Sequence, residues 1–407
     1  MTREFISRSE MTRRRALGLL VGATSVAALR PAAVSAQTDK LFRIGMVRPL
    51  TGRFASSFAP LYIPARVAAE EINASGGLLG KMIEFVEEDD EGSPAKEPAV
   101  IRKLQEAGVN VIVGPVGTSQ AVAALSVSTP GKIIQAAGAF AVEVVDGKQY
   151  PYHYQFNYNT KHQSAAVVDL FAKQMGFKKI GLIHEVTGWG ESFAGRVIED
   201  LKVQGVTPVA VESYSLTVPD LRNQLRNLQR AGAEAVIVGS SIVPGSIIVL
   251  SAFKNLAWFP PIAGGNGFFG DAVLDILPAD ATKNIYATFL RSFTYGANEP
   301  AGERQINYVK KLLAYPEVKG QEPNAAVSPF YDFLYALKSV IENTKAFDSE
   351  SLKKGLDGIK NMAGMSGTLS LTPDDHCALP VDSVTMVKIA SSRDPRAMGC
   401  FRERATA

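Results

Sequence analysis

Residues 109–138 read VNVIVGPVGTSQAVAALSVSTPGKIIQAAG. The apolar run from Val109 to Val113 breaks at Gly114-Pro115. A Gly-Thr-Ser turn then opens an alanine-rich stretch, and GKIIQAAG follows. This is strand, tight turn, helix and strand again. The strands are nearly all apolar, as in a parallel sheet covered on both faces. Thr118 and Ser119 stand where the helix begins. Hydroxyl residues there can cap the helix, and the same place suits a bound anion.

The alternation continues in both directions. On the N-terminal side, a strand at Leu41–Val47 leads through PLTGRFASSFAP into a helix that stops at Gly76-Gly77. The strand MIEFVEED and the helix EPAVIRKLQEAG come next. On the C-terminal side lies YPYHYQFNYNTKHQ, rich in Tyr and Asn, after which the pattern starts afresh. SAAVVDLFAKQMG, ESFAGRVIEDLKVQG, VPDLRNQLRNLQRAG and GSIIVLSAFKNLA read as helices. KKIGLIHE, TPVAVESY, AEAVIVGSS and PPIAGGN read as strands between them. Long helices, a Gly-rich hairpin (MSGTLSLTPDD) and a strand at Val384–Ile389 finish the chain. The expected fold class is α/β: two doubly wound α/β lobes with several crossings between them. The first lobe takes residues 37–157 and 291–367, the second 158–290 and 368–407. Ligands of open α/β sheets bind beyond the carboxyl ends of the strands. The expected cleft lining is therefore 48–58, 114–119, 135–139, 184–190, 239–243 and 264–268.

Residues 1–36 are set apart from this pattern. A cationic start, an apolar run of about 14 residues and Val34-Ser35-Ala36 form a secretory signal with cleavage near Ala36. The run is too short for a membrane span, which needs about 20 residues. Thr12-Arg13-Arg14-Arg15-Ala16-Leu17 resembles a twin-arginine export signal, and a general secretion signal is the alternative. This segment carries six Arg and two Glu, a net of +4 against +3 for the whole 407-residue chain. The mature protein is then near −1, so nothing basic remains to attract nucleic acid.

Cys377 and Cys400, the two cysteines of the chain, read either as a disulfide tying down the tail of an exported protein or as two free thiols. No CxxC or Cys/His cluster suggests a metal, and no cofactor motif is present. GxGxxG does not follow the first strand, and neither GxxxxGK[ST] nor GxSxG occurs. The expectation is a binding protein, not an enzyme. The run Glu87-Glu88-Asp89-Asp90-Glu91 reads as a solvated loop.

IGMVRPLTGRFA, ARVAAEEINASGGLLGK, VGPVGTS, IHEVTGWGESFAG and RAGAEAVIVG occur in this order. Together they resemble type 1 periplasmic solute-binding proteins of the leucine/isoleucine/valine-binding branch, which serve ABC importers. The resemblance spans about Leu41 to Ile389. It implies two lobes joined by three crossing segments, hinge closure on a small ligand, no catalysis, permease subunits in the membrane as partners, a periplasmic location and a monomer.

In the amino-acid-binding members, the turn after the third strand holds the ligand carboxylate. That position falls on Thr118, with Ser119 beside it. The next strand supplies a carbonyl and a hydroxyl; Ala137 keeps the first and Ala139 lacks the second. An aromatic residue lining the cleft falls on Trp189, and first-lobe loop contacts fall on Ser57 and Phe58. The ammonium-binding acid of the family falls on Asn266 and its partner tyrosine on Ser241. Neither is charged, and a buried ammonium needs a compensating anion or many acceptors. The expected ligand is therefore a carboxylate lacking an α-amine, an aromatic or other organic acid. Arg48, at the end of the first strand, reads either as a partner for a second ligand charge or as a structural arginine. An amino-acid ligand, an amide or urea ligand, and a sensing role in place of import stay open.

Overall fold

The computed structural model describes residues 40–269 and 271–406; the export signal expected at 1–36 lies outside them. Residues 41–407 form one unit by their contacts. Its first sheet is built from β1 (Leu41–Arg48), β2 (Met82–Asp89), β3 (Val111–Val116), β4 (Ile134–Gly138) and β5 (His153–Tyr154). The strand order is β2-β1-β3-β4-β5, and every pair is parallel. Helices α1 (Ala55–Ala74), α2 (Glu97–Glu106) and α3 (Thr118–Ser128) make the crossovers. All six residues of β3 are buried, as expected for a strand covered on both faces.

The second sheet repeats the device. It contains β6 (Ile180–Glu185), β7 (Ala210–Tyr214), β8 (Ala235–Gly239), β9 (Ile262–Gly264) and β10 (Ile285–Leu290). Their order is β7-β6-β8-β9-β10, again parallel. In both sheets the first strand lies between the second and third, so the crossovers leave it in opposite directions. A crevice opens at such a switch point, here at β1/β3 and at β6/β8. Helix α4 (Thr160–Val168) precedes β6. Helices α5 (Gly188–Val203), α6 (Arg222–Arg230) and α7 (Val243–Asn255) follow β6, β7 and β8.

The remaining chain returns to both sheets. Thr294–Tyr295 (β11) sits at the edge of the larger sheet. Helices α8 (Glu303–Leu312), α9 (Glu322–Ala326), α10 (Phe330–Thr344) and α11 (Ser349–Leu356) follow, with α9 and α10 packed on α1. The hairpin pairs β12 (Met362–Ala363) with β13 (Thr368–Leu369), so its first strand lies just before the stretch read from sequence. Strand β14 (Val384–Lys388) runs antiparallel to β10. A last strand, β15 (Arg402–Arg404), joins β14 to β11. Three residues are too few for a periodic signal, and β15 is invisible in the sequence.

Two sequence expectations need correction here. Cys377 and Cys400 are free, buried thiols and form no disulfide. The Cys377 thiol lies against the carbonyls of Asn157 and Leu379, and that of Cys400 against the carbonyl of Glu322. Burial raises both thiols to about 12. The acidic run is not a solvated loop either. Glu87, Glu88 and Asp89 belong to β2, and Asp90 is fully buried. Asp90 Oδ1 accepts from Gly92 N at 2.6 Å, and Glu97, also buried, faces Asp90. Two carboxyl groups so placed cannot both ionise. Burial and the neighbouring Asp90 raise Glu97 to about 10, so Glu97 keeps its proton near neutral pH.

Candidate functional site

The chain leaving β1, β3 and β4 of the first sheet, and β6, β8 and β9 of the second, lines one cavity of about 220 Å³. That is below the roughly 300–1,000 Å³ of pockets for drug-sized molecules, so the cavity suits a small ligand.

The start of α3 forms one wall. Its N-cap is Gly117, at φ +106°, and no side chain caps the helix. A Cβ at Gly117 would fall 2.3 Å from Gln120 Oε1, so the position tolerates only glycine. Thr118 and Ser119 are thus the first two helical residues, not caps. Among the described residues, none accepts from the backbone N–H of Thr118, Ser119 or Gln120. Three amides and the positive end of the helix dipole face the cavity together, which favours an anion. Gln120 Nε2 donates to the carbonyl of Gly92 at 2.8 Å and holds the 90–97 loop against this wall. Arg53 adds a positive charge to the lining, its guanidinium 4.6 Å over the ring of Phe54.

The opposing wall comes from the second sheet. Helix α5 is capped by Thr187, whose Oγ1 accepts from Gly190 N at 3.1 Å and donates to Glu185 Oε1 at 2.7 Å. Glu185 is fully buried at the end of β6. It also accepts from Ser241 Oγ at 2.6 Å and from Ser241 N at 2.9 Å. Three donors therefore occupy most of the roughly four acceptor positions of a carboxylate. Burial raises the Glu185 pKa and these hydrogen bonds oppose the rise. The carboxylate ties the ends of β6 and β8 together.

Aromatic rings supply the apolar surface. Trp189 stacks on Phe193 with centroids 5.1 Å apart, and Phe54 on Phe58 at 5.0 Å. Phe140 meets Tyr158 edge-on. Gly265 is needed at the edge of the indole, since a Cβ there would lie 2.7 Å from Trp189 Cη2. The two walls touch where Gly188 N donates to Ser119 Oγ at 3.2 Å.

Of the sequence-predicted residues, Thr118, Ser119, Trp189, Ser241, Asn266, Ser57 and Phe58 line this cavity together. Arg48 does not. Its Nε donates to Glu87 on the neighbouring strand at 2.8 Å, which settles it as a structural arginine. Ala137 and Ala139 also lie outside the lining: they pack in an apolar cluster with Ala121, Leu125 and Val144. The alternation of strand residues puts Gly138 and Phe140 on the cavity side instead. The Ala139 carbonyl is already taken by Gln155 Nε2 and Asn157 Nδ2. Sequence reasoning covered Arg53 and Glu185 only as members of the expected lining at 48–58 and 184–190, without a role for either, and it missed Gln120. A signal for Glu185 existed, a lone carboxylate closing an apolar strand beside His184. Nothing local separates Arg53 from Arg48.

Residues 42–394 match the family model of periplasmic binding proteins. The chain belongs to this family. A Leu/Ile/Val-binding protein homolog of Brucella abortus is 25% identical over 354 residues, covering 84% of this chain and 86% of the relative. Solved structures of periplasmic binding proteins share the fold. The branched-chain amino acid transporter substrate binding protein LivJ of Streptococcus pneumoniae, in complex with isoleucine, superposes with a TM-score of 0.74 at 20% identity. It covers 90% of this chain and 100% of that one. A solute-binding protein of an ABC transporter from Rhodopseudomonas palustris, in complex with 3,4-dihydroxybenzoic acid, gives 0.72 at 21% identity, with 86% and 93% covered. One fold, nearly equally similar, holds an amino acid in one case and a benzoate in the other. In this periplasmic binding protein the ligand must therefore be read from the site.

Proposed function

We propose that the chain is the extracytoplasmic solute-binding component of an ABC importer, and that it closes on a small aromatic carboxylate lacking an α-amine. The two sheets head two lobes that move about their crossing segments; β11, at Thr294–Tyr295, goes with the second sheet and not with the first-lobe stretch 291–367 expected from sequence. The observation that carries this reading is the contrast in donors. Three unpaired amides at the start of α3 seek an anion, while no carboxylate stands at the place of the family's ammonium-binding acid. Asn266 is there, and its Oδ1 already accepts from Tyr158 Oη and Gln163 Nε2, both at 2.9 Å. The ligand carboxylate takes the α3 amides and the Thr118 hydroxyl, near Arg53. The ring lies against Trp189 and Phe140. Solute-binding proteins of this fold from Rhodopseudomonas palustris hold benzoates, which agrees with this chemistry.

A second reading, an α-amino acid, draws on Glu185, a carboxylate in the cavity wall. Its acceptor positions are largely occupied by Ser241 and Thr187, which weighs against it. A thermal-shift and calorimetric screen of the mature protein decides between the two. A ligand near a thousand times its dissociation constant stabilises by about 4 kcal/mol. Stabilisation by benzoate and hydroxybenzoates, with none by leucine or valine, is the expected result. The reverse pattern overturns the proposal.

A further inference from the structure

We propose that Trp189 and Gln163 decide what the second wall of the cleft can recognise, by fixing Asn266 as a hydrogen-bond donor. This rests on the reading of the cavity as the ligand site. An indole N–H can only donate. Trp189 Nε1 lies 3.2 Å from Gln163 Oε1, so that end of the Gln163 amide must accept. The other end must then donate, and Gln163 Nε2 does so to Asn266 Oδ1 at 2.9 Å and to Thr288 Oγ1 at 3.1 Å. Asn266 Oδ1 receives a second hydrogen bond from Tyr158 Oη at 2.9 Å. Rotating the Asn266 amide would set its NH₂ against the NH₂ of Gln163. The chain of bonds thus has one permitted polarity, and it leaves Asn266 Nδ2 for the cavity.

Burial makes this polarity firm. Gln163 and Tyr158 are completely buried and Trp189 is 4% exposed, so no water competes for these groups. Buried polar networks of this kind are rigid when every member is satisfied. The N–H presented by Asn266 Nδ2 donates to a hydroxyl, carbonyl or second carboxylate oxygen of a ligand. It repels an ammonium, which has only donors of its own. Trp189 therefore acts twice, as an apolar wall toward the cavity and as the residue that orients the Asn266 amide through Gln163. Gln163 is a positioning residue in α4, behind the wall.

The test compares two probes of one shape, 3-phenylpropionate and phenylalanine, which differ by the α-amine. In calorimetry the wild-type mature protein should prefer 3-phenylpropionate by about tenfold or more, the scale of one unmet polar contact in a buried site. Trp189→Phe keeps a ring but removes the donor, so Gln163 and Asn266 can both turn. The preference should fall below about threefold. Gln163→Met, which breaks the chain at its middle link, should do the same and serves if Trp189→Phe does not fold. Asn266→Asp, an acceptor in either orientation, should reverse the preference. A wild-type ratio retained in Trp189→Phe and Gln163→Met, with a changed ratio in Asn266→Asp, overturns the relay alone. Tighter binding of phenylalanine by the wild type, or binding of neither probe, overturns the site reading beneath it.

Discussion

Two helices begin at the cavity in opposite ways. The start of α5 is closed: Thr187 caps it, Glu185 holds Thr187, and Gly188 N is taken by Ser119. The start of α3 is open: its cap is a glycine, and the amides of residues 118–120 have no partner among the described residues. Helix starts normally satisfy their first amides with side chains or water. Here the largely satisfied one builds a wall, and the unsatisfied one faces the cavity. Both starts belong to parallel-sheet crossovers of the same topology; they differ in the capping residue and in the Ser119 hydroxyl that takes Gly188 N.

The comparison can be broken from the closed side first. Trp189→Ala removes a buried ring from the first turn of α5, and about 3–5 kcal/mol of stability should go with it. Chemical denaturation measures this; a loss under about 1 kcal/mol would mean the indole is not part of the packed wall. On the open side, Thr118→Val should weaken benzoate binding by roughly 1–3 kcal/mol through a lost hydrogen bond to a charged group. Unchanged affinity in calorimetry places the anion elsewhere.

Thr187→Ala uncaps α5 and should lower stability by about 0.5–2 kcal/mol, visible in the denaturation midpoint. If affinity falls with no change in stability, the closed start is also a ligand site and the contrast disappears. The smallest effect near neutral pH is expected from Glu97→Gln, behind the loop that Gln120 pins. The folded pKa of Glu97 is raised from 4.5 to about 10, so the folded chain keeps a proton that the unfolded chain releases. Stability from this proton is complete below about pH 4.5 and drains away as pH rises toward 10. Glu97→Gln should flatten that decline in melting temperature between pH 7 and 10. An identical slope in wild type and variant would show that the folded chain does not hold Glu97 protonated.

The strand–helix order and the strand ends that line the cavity were legible in the sequence. Apolar runs bounded by glycine turns leave few alternatives for chain of this kind. The first turn of α3 was legible too, because Gly117, Thr118 and Ser119 are close neighbours in sequence. The roles of Arg48, Ala137 and Ala139 were not. Each depends on which face of a strand a side chain takes and on what the adjacent strand offers it: Glu87 holds Arg48, and an apolar cluster receives the two alanines. The disulfide failed for the same reason, since parity and compartment say nothing of where two thiols lie. Glu185 and the Trp189–Gln163–Asn266 chain join residues tens of positions apart. What the sequence by itself determined was the set of local elements and the ends at which a ligand can sit. Only the tertiary structure decided which polar groups are consumed by one another and which still face the cavity, because hydrogen bonds between distant segments are settled by packing.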